Sequence, residues 1–298
     1  MFLTICLNPT LQKTLRFPSI VPGAVNRTGV HRLDVSGKGI NVTRVLTQLG
    51  KKAVHLTQLG GGMRPLFLSL CEQDELSVEW VESESQIRFC YTLLTDDNVT
   101  ELVEESEPVA AGTEQRIIEK FDALLLPTSS SLLPTSSLLP TCLILSGTKA
   151  TGFSDALFHD MVKKAKEKGL KVILDIKGKD LIESLQYEPD IIKPNLDEFT
   201  QTFKTESIKD TVMDITQKYK CRVILTDGSR KILAADKNNF FEVEVPAVKA
   251  VNTTGCGDAF TAGLAAALAA GADFHAAINE GIRCGTLNAS LVKPGCLQ

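Results

Sequence analysis

Short apolar runs alternate with longer stretches of helical period along this chain. Phe2-Leu3-Thr4-Ile5-Cys6-Leu7 reads as a buried strand that Asn8-Pro9 stops. Similar runs lie at 53–57, 142–145, 171–174, 190–192 and 222–225. They end at Gly60-Gly61-Gly62, Ser146-Gly147, Asp175, Lys193-Pro194-Asn195 and Thr226-Asp227-Gly228. Helices are expected between them, among others at 42–50, 154–168 and 195–203. This rhythm predicts an α/β fold, a mostly parallel central sheet with helices on both faces. Ligands bind beyond the carboxyl ends of strands in such sheets. The polar residues that end each run are the rim expected there, although turns alone supply much of it.

Two stretches break the rhythm. Residues 11–34 and 86–104 alternate polar and apolar side chains with no helical period. Within the second, Asp96-Asp97-Asn98 forms a turn between 88–94 and 99–103. Two ribbon pieces inserted into an α/β frame predict a small β-sheet lid, which would keep water from the chemistry. A decorative edge hairpin is the competing reading. Leu125-Leu126-Pro127-Thr128-Ser129-Ser130 recurs at 132–137 and partly at 138–141. Its prolines exclude a continuous helix, and an irregular loop leading into the strand at 142 is expected. This repeat has no functional account.

The chain has 298 residues, 43% hydrophobic and 23% charged, and a formal net charge of −4. One large α/β domain over 1–298 with a sizeable core fits these values. The negative charge and scattered Lys and Arg argue against a nucleic-acid surface. No secretory or transmembrane pattern is seen, and a cytoplasmic location is expected. The eight cysteines form no Cys-x-x-Cys pair and read as reduced thiols. The histidines at 31, 55, 159 and 275 have no metal-ligand spacing.

Val251-Asn252-Thr253-Thr254-Gly255-Cys256-Gly257-Asp258 carries the most chemistry. Gly255 and Gly257 permit a tight turn with bare N–H groups. A helix is expected from Ala259 to Ala270, with Gly271 as its C-terminal stop. Uncovered N–H groups, those of Cys256 included, would then gather at a helix N-terminus, where anions bind. A carboxylate beside an anion hole is costly unless it has work, and accepting a proton from an attacking hydroxyl is such work for Asp258. An N-cap role alone is the competing reading. The segment is not a P-loop, because no Gly-Lys-Ser/Thr follows, nor a dinucleotide fingerprint, because Phe260 stands at the third glycine.

Five motifs in order resemble the ribokinase-like sugar kinases, within them the branch of 1-phosphofructokinases and tagatose-6-phosphate kinases. They are Leu7-Asn8-Pro9, Ser36-Gly37-Lys38-Gly39-Ile40-Asn41-Val42, Arg88 with Thr100-Glu101-Leu102, Lys193-Pro194-Asn195-Leu196-Asp197-Glu198, and the segment at 251–258. The resemblance implies a three-layer kinase fold that uses ATP and Mg²⁺. Chemistry agrees residue by residue. Gly37 and Gly39 would let the backbone approach a sugar, and Asn41 offers donor and acceptor to hydroxyls. Lys38, Arg27 and Arg88 could hold a phosphate already on the substrate, or be ordinary surface charge. Asn195 and Glu198 lie one helical turn apart, and Glu198 could organise Mg²⁺-bound water or simply favour the helix start. Lys193 would neutralise the transferred phosphoryl group. By resemblance alone, Ser146 borders the sugar, Thr226 and Gly228 touch the nucleotide phosphates, and Gly285 and Asn288 border the adenine.

Four departures put the sugar's identity in question. Gln12 stands where the family has Asp, and Ser36 replaces the first glycine of the sugar loop. Ser146-Gly147-Thr148-Lys149 replaces a Ser-Gly-Ser-Leu-Pro pattern, and Asp227 charges a turn that is usually neutral. The expected activity is phosphorylation of a phosphorylated ketohexose: fructose 1-phosphate, tagatose 6-phosphate or fructose 6-phosphate. The alternatives are a kinase of an unphosphorylated sugar or nucleoside, and a weakly active sugar-phosphate sensor. Partners are limited to small molecules, with room for a homodimer through the lid.

Overall fold

The computed structural model describes residues 1–126, 139–237 and 239–298. In chain order its strands are β1 (Phe2–Leu7), β2 (Thr10–Arg16), β3 (His31–Ser36), β4 (Ala53–Leu59), β5 (Val78–Glu82), β6 (Arg88–Leu94), β7 (Val99–Val103), β8 (Cys142–Lys149), β9 (Lys171–Asp175), β10 (Ile191–Ile192), β11 (Arg222–Thr226), β12 (Lys231–Asp236) and β13 (Asn239–Glu244). Its helices are α1 (Lys38–Gln48), α2 (Arg64–Gln73), α3 (Thr113–Leu124), α4 (Ala156–Glu167), α5 (Gly178–Ser184), α6 (Leu196–Phe203), α7 (Ile208–Tyr219), α8 (Cys256–Ala269) and α9 (Phe274–Ala289).

Nine strands form one sheet in the order β13-β12-β11-β10-β9-β8-β1-β4-β5. Strands from β11 to β5 pair in parallel, and β12 and β13 add an antiparallel edge. Parallel strands covered on both faces need apolar side chains on both, hence the continuous runs in the sequence. Leu3, Ile5 and Leu7 of β1 face one layer, where Phe121, Phe158, Phe199 and Ile215 from α3, α4, α6 and α7 pack. Phe2 faces the other, with Val42 and Val45 of α1 and the apolar sides of α8 and α9. The three-layer α/β expectation holds.

A second sheet, in the order β3-β2-β6-β7, stands apart. The chain leaves β1, turns at Asn8-Pro9, and enters β2 directly. It returns from β3 straight into α1, so this sheet is rooted at the carboxyl end of β1. Leu11, Val35 and Ile40 join its base to Leu59 and Phe67.

Two helix starts differ from the sequence expectation. α1 begins four residues earlier than 42, because Gly37 (φ +105) turns the chain directly into it. α8 begins at Cys256 rather than Ala259, because Gly255 takes the left-handed N-cap position (φ +83). Asp258 therefore lies in the first helical turn and is not the N-cap. Gly271 (φ +87) follows the end of α8 as expected. Most of the irregular loop expected over 125–141 lies outside the described residues.

Candidate active site

Strands that end at one edge of a parallel sheet present their last residues to a common cleft. Here the cleft holds about 410 Å³, and its floor comes from Asp175 at the end of β9, Lys193 after β10 and Thr226 at the end of β11. One wall is the start of α1, with Gly37, Lys38 and Asn41. The facing wall is the loop before α8, with Thr253, Thr254, Gly255, Gly257 and Asp258. The small sheet covers it with alternate residues: Thr10 and Gln12 of β2, Arg88 and Cys90 of β6, Glu101 and Val103 of β7. Asn195 and Glu198 complete the rim.

Charge is concentrated at the floor. Asp175 is 1% exposed and takes two ammonium groups, Lys38 Nζ at 3.3 Å and Lys193 Nζ at 3.2 Å. Thr261 and Ser146 also donate to it, at 3.2 and 3.4 Å. Burial alone would raise the Asp175 carboxyl, but the two lysines overcome it and hold it below its usual value. Burial alone would likewise lower Lys38, but Asp175, Glu198 and Asp258 together raise it. Both stay charged.

Asp258 is different. Asn41 Nδ2 donates to its Oδ2 at 2.8 Å, and among the described residues no lysine lies within salt-bridge distance. Burial pushes its pKa up to about 6; Lys38 opposes this and Asp175 adds to it. A carboxyl near this value is poised to take a proton at neutral pH. Beside it, the amides of Gly255 and Gly257 have no backbone acceptor among the described residues and open at the α8 N-terminus. A Cβ on Gly255 would sit 2.5 Å from the Gly295 amide nitrogen, so the turn admits no side chain. The arrangement offers a base, an anion hole and two lysines within one cleft, the parts needed to move a phosphoryl group onto a hydroxyl.

The comparisons with known proteins agree with this geometry. The family described as pfkB family carbohydrate kinase matches residues 11–295. The chain belongs to that family. It is an ATP-dependent sugar kinase. A tagatose-6-phosphate kinase of Staphylococcus epidermidis is 29% identical over 276 residues, covering 90% of this chain and 85% of its own. Among solved structures, phosphofructokinase-2 from Escherichia coli superposes with a TM-score of 0.85 at 21% identity, over 97% of this chain and 93% of its own. A possible 1-phosphofructokinase from Thermotoga maritima gives 0.84 at 17%, over 98% and 92%. These two likenesses show the fold.

Within this kinase the residues singled out from sequence divide into two groups. Gln12, Gly37, Lys38, Asn41, Arg88, Lys193, Asn195, Glu198, Thr226, Gly255, Gly257 and Asp258 all line the cleft. The others do not. Arg27 is exposed in the β2–β3 connection. Gly39 faces the sheet, where a Cβ would lie 2.5 Å from His55 Cε1 and 2.8 Å from Cys6 Cβ. It lets α1 settle on β1 and β4 instead of admitting a sugar. Ser146 is 1% exposed behind Asp175. The Cys256 amide turns back to Thr253 O at 3.3 Å, and its thiol packs against Asn252 and Asn288. Gly285 meets the Cys256 carbonyl across the α8–α9 contact. Asn288 is fully buried and braces the loop, donating to Thr254 O at 2.9 Å and accepting from the Cys296 amide at 3.0 Å. Gly228 (φ +58) shapes the turn after β11, outside the cleft lining.

Sequence reasoning missed the part played by Asp175. Its signal was present, a single carboxylate closing an apolar strand run. Glu101 was read only as part of the lid; its Oε1 accepts from Thr254 Oγ1 at 2.9 Å and ties β7 to the loop before α8.

The fit to Mg²⁺ rests on Glu198. Its Oε2 accepts the Asn195 amide in a capping box, and Oε1 lies 3.5 Å from Lys38 Nζ at the cleft. No cluster of three or more metal-ligating side chains occurs among the described residues. Mg²⁺ keeps several waters and takes few carboxylates, so this donor set fits an ion held through water beside nucleotide phosphates.

The raised Asp258 pKa has a cost in stability. Its unfolded value is near 3.8 and its folded value about 6, so the folded state binds the proton more tightly. Stability should therefore fall as pH rises from about 4 to above 6. Asp258→Asn removes that loss. Urea unfolding should find the variant more stable than wild type at pH 7.5, by up to about 3 kcal/mol, with the difference nearly gone at pH 4. A difference independent of pH would show that the carboxyl is not perturbed by burial.

Proposed function

We propose that this kinase transfers the γ-phosphoryl group of ATP to a hydroxyl of a phosphorylated ketohexose, giving the bisphosphate. The observation that carries this is Arg88. Its guanidinium faces the cleft and bonds only neutral acceptors, Thr10 Oγ1 at 3.2 Å and the Glu104 carbonyl at 3.1 Å. Among the described residues no carboxylate lies in salt-bridge distance of it. A buried-edge guanidinium without a counter-ion suits a substrate phosphate, which it can bind with two donors. A neutral sugar or nucleoside would leave it idle. The S. epidermidis relative carries the name tagatose-6-phosphate kinase, which agrees with a sugar phosphate as substrate.

The steps follow from this chain's own groups. The sugar lies under the small sheet, which acts as a lid, with its phosphate on Arg88 and its hydroxyls near Gln12 and Asn41. Asp258 takes the proton from the attacking hydroxyl. The Gly255 and Gly257 amides and the α8 N-terminus stabilise charge on the transferred group. Lys193 and Lys38 supply positive charge from the opposite side. Mg²⁺, held through water by Glu198, would screen the phosphate charge. The nucleotide base goes to a second groove of about 320 Å³ between Pro246 and Ile282, Thr286 and Leu287. The loop 245–255 joins that groove to the anion hole, so a nucleotide can span both. In this reading Thr286 and Leu287 face the groove, whereas Asn288, two residues along α9 from Thr286, faces inward.

Exposed apolar side chains on the small sheet and its connections, Val21, Val25, Val30, Val99 and Leu102, suit a homodimer through the lid. The weakly active sensor gains no support. Asp227 is paired with Arg230 and so adds no free charge near the nucleotide.

Turnover with ATP on a panel of sugar phosphates tests the reading, and Arg88→Ala sharpens it. A charged contact is worth roughly 1.5–3 kcal/mol, so KM for the sugar phosphate should rise about tenfold to a hundredfold or somewhat more. KM for ATP should hardly change. An unchanged KM for every sugar phosphate would count decisively against a phosphate at Arg88.

Gln12 addresses which sugar. It is 4% exposed, and its Nε2 donates to Thr92 Oγ1 at 2.7 Å, so it is held rigidly at the cleft. Gln12→Asp should alter the relative kcat/KM for fructose 1-phosphate, fructose 6-phosphate and tagatose 6-phosphate, since a carboxylate only accepts hydrogen bonds. Identical ratios in both proteins would show that position 12 does not read the sugar.

A further inference from the structure

Arg44 lies outside the cleft, is 2% exposed, and is the largest fully buried side chain among the described residues. Burying a guanidinium is expensive unless every donor is used. Here nearly all are. Nε meets Asp74 Oδ2 at 2.9 Å, and Nη2 meets the Val35 carbonyl at 2.5 Å. Nη1 divides between Asn41 Oδ1 and the Pro294 carbonyl, each at 3.0 Å.

The contact with Asn41 has a chemical consequence. Arginine carries donors only, so the Asn41 atom facing it must be the amide oxygen. Ser36 Oγ donates to the same oxygen at 3.3 Å. With the oxygen committed, the amide nitrogen points the other way, at Asp258 Oδ2. A flipped amide would oppose nitrogen to guanidinium and oxygen to carboxylate at the same time. The backbone adds a stop: a Cβ on Gly295 would lie 2.5 Å from Asn41 Cβ, so the Pro294-Gly295 segment is pressed against the Asn41 stem.

We propose that Arg44 and Ser36 are positioning residues that fix the polarity of the Asn41 amide, so that it always offers a donor to Asp258. This rests on the reading of Asp258 as the base. Without the fixed donor, the base would face an amide free to turn its oxygen inward. Asp258 would hold its proton more tightly and lie less well aligned. The other groups facing it, Lys38 from α1, Asp175 from β9 and Lys193 beyond β10, would remain. Ser36, a departure from the family's glycine, thereby acquires a role at the base.

The experiment is a double-mutant cycle between Arg44→Lys and Asn41→Ala, read as kcat at saturating substrates. Lysine keeps the charge but cannot make the forked contacts. Arg44→Lys should lower kcat about tenfold or more, move the acid limb of kcat to higher pH and leave KM for ATP unchanged. In the Asn41→Ala background the same change should cost nothing further. Losses that multiply would overturn the proposal, because a merely structural Arg44 acts whether or not Asn41 is present. Should Arg44→Lys fail to fold, Ser36→Ala takes its place in the cycle, with a few-fold loss expected alone and none with Asn41→Ala. The cycle is also read without turnover, from the fall in unfolding free energy between pH 4 and 7.5. Losing the donor should steepen that fall only while Asn41 is present. An enzyme inactive on every sugar phosphate would sink the functional reading, whereas equal pH dependence in all variants would sink this one.

Discussion

Two ammonium groups and two carboxylates share the carboxyl ends of the parallel strands, and the site depends on how unevenly they are matched. Lys38 and Lys193 both bind Asp175. Asp258 lies near them without either as a direct partner, and among the described residues keeps only the Asn41 donor. A buried carboxylate paired with a lysine would be too weak a base, and one with no favourable neighbour would stay protonated. The division of partners puts one acid far below neutrality and leaves the other at about 6. Asp175 is thus the counter-ion that keeps both lysines in place, and Asp258 is left without a lysine partner, as the proposed role of base requires.

The scaffold serves this balance through close backbone approach. Gly255 is wedged against Gly295, and Gly295 against Asn41. Gly39 lets α1 sit on β1, which sets the height of Lys38 and Asn41 over the strand ends. Gly263 and Gly281 bring α8 and α9 together, where a Cβ would come within 2.7 Å and 2.9 Å of the facing helix. Asn288 of α9 then holds the loop before α8 from behind. The glycines that matter most for the site mostly shorten distances between elements, and only some of them touch the cleft.

Much of the fold was legible in the chain because its strands are covered on both faces and so read as unbroken apolar runs. The small sheet was legible for the opposite reason, as its half-covered strands alternate. The Gly255-to-Asp258 turn could be read from residue type, and Lys38, Asn41, Arg88 and the Asn195–Glu198 pair from the motifs that carry the family resemblance; all of them line one cleft. What failed was direction. Gly39, Ser146, Gly285 and Asn288 each lie within a few residues of the cleft but point into the packing, and which face a helix buries is decided by partners remote in sequence. Asn288 was expected at the adenine only through the family resemblance; here Thr254 and Cys296 satisfy it from inside. Arg44 gave no sign at all, since its partners Val35, Asp74 and Pro294 come from three separate parts of the chain.

The central claim is that the Asp258 carboxylate takes the proton of the attacking hydroxyl. Its most direct test is single-turnover and steady-state kinetics of Asp258→Asn on the best sugar phosphate found, beside equilibrium binding of ATP. A general base contributes roughly 10²–10⁴ in rate, so kcat should fall by that factor while ATP affinity and the folded state persist. A purified variant that retains more than about a tenth of wild-type turnover, a loss below that range, would contradict the account.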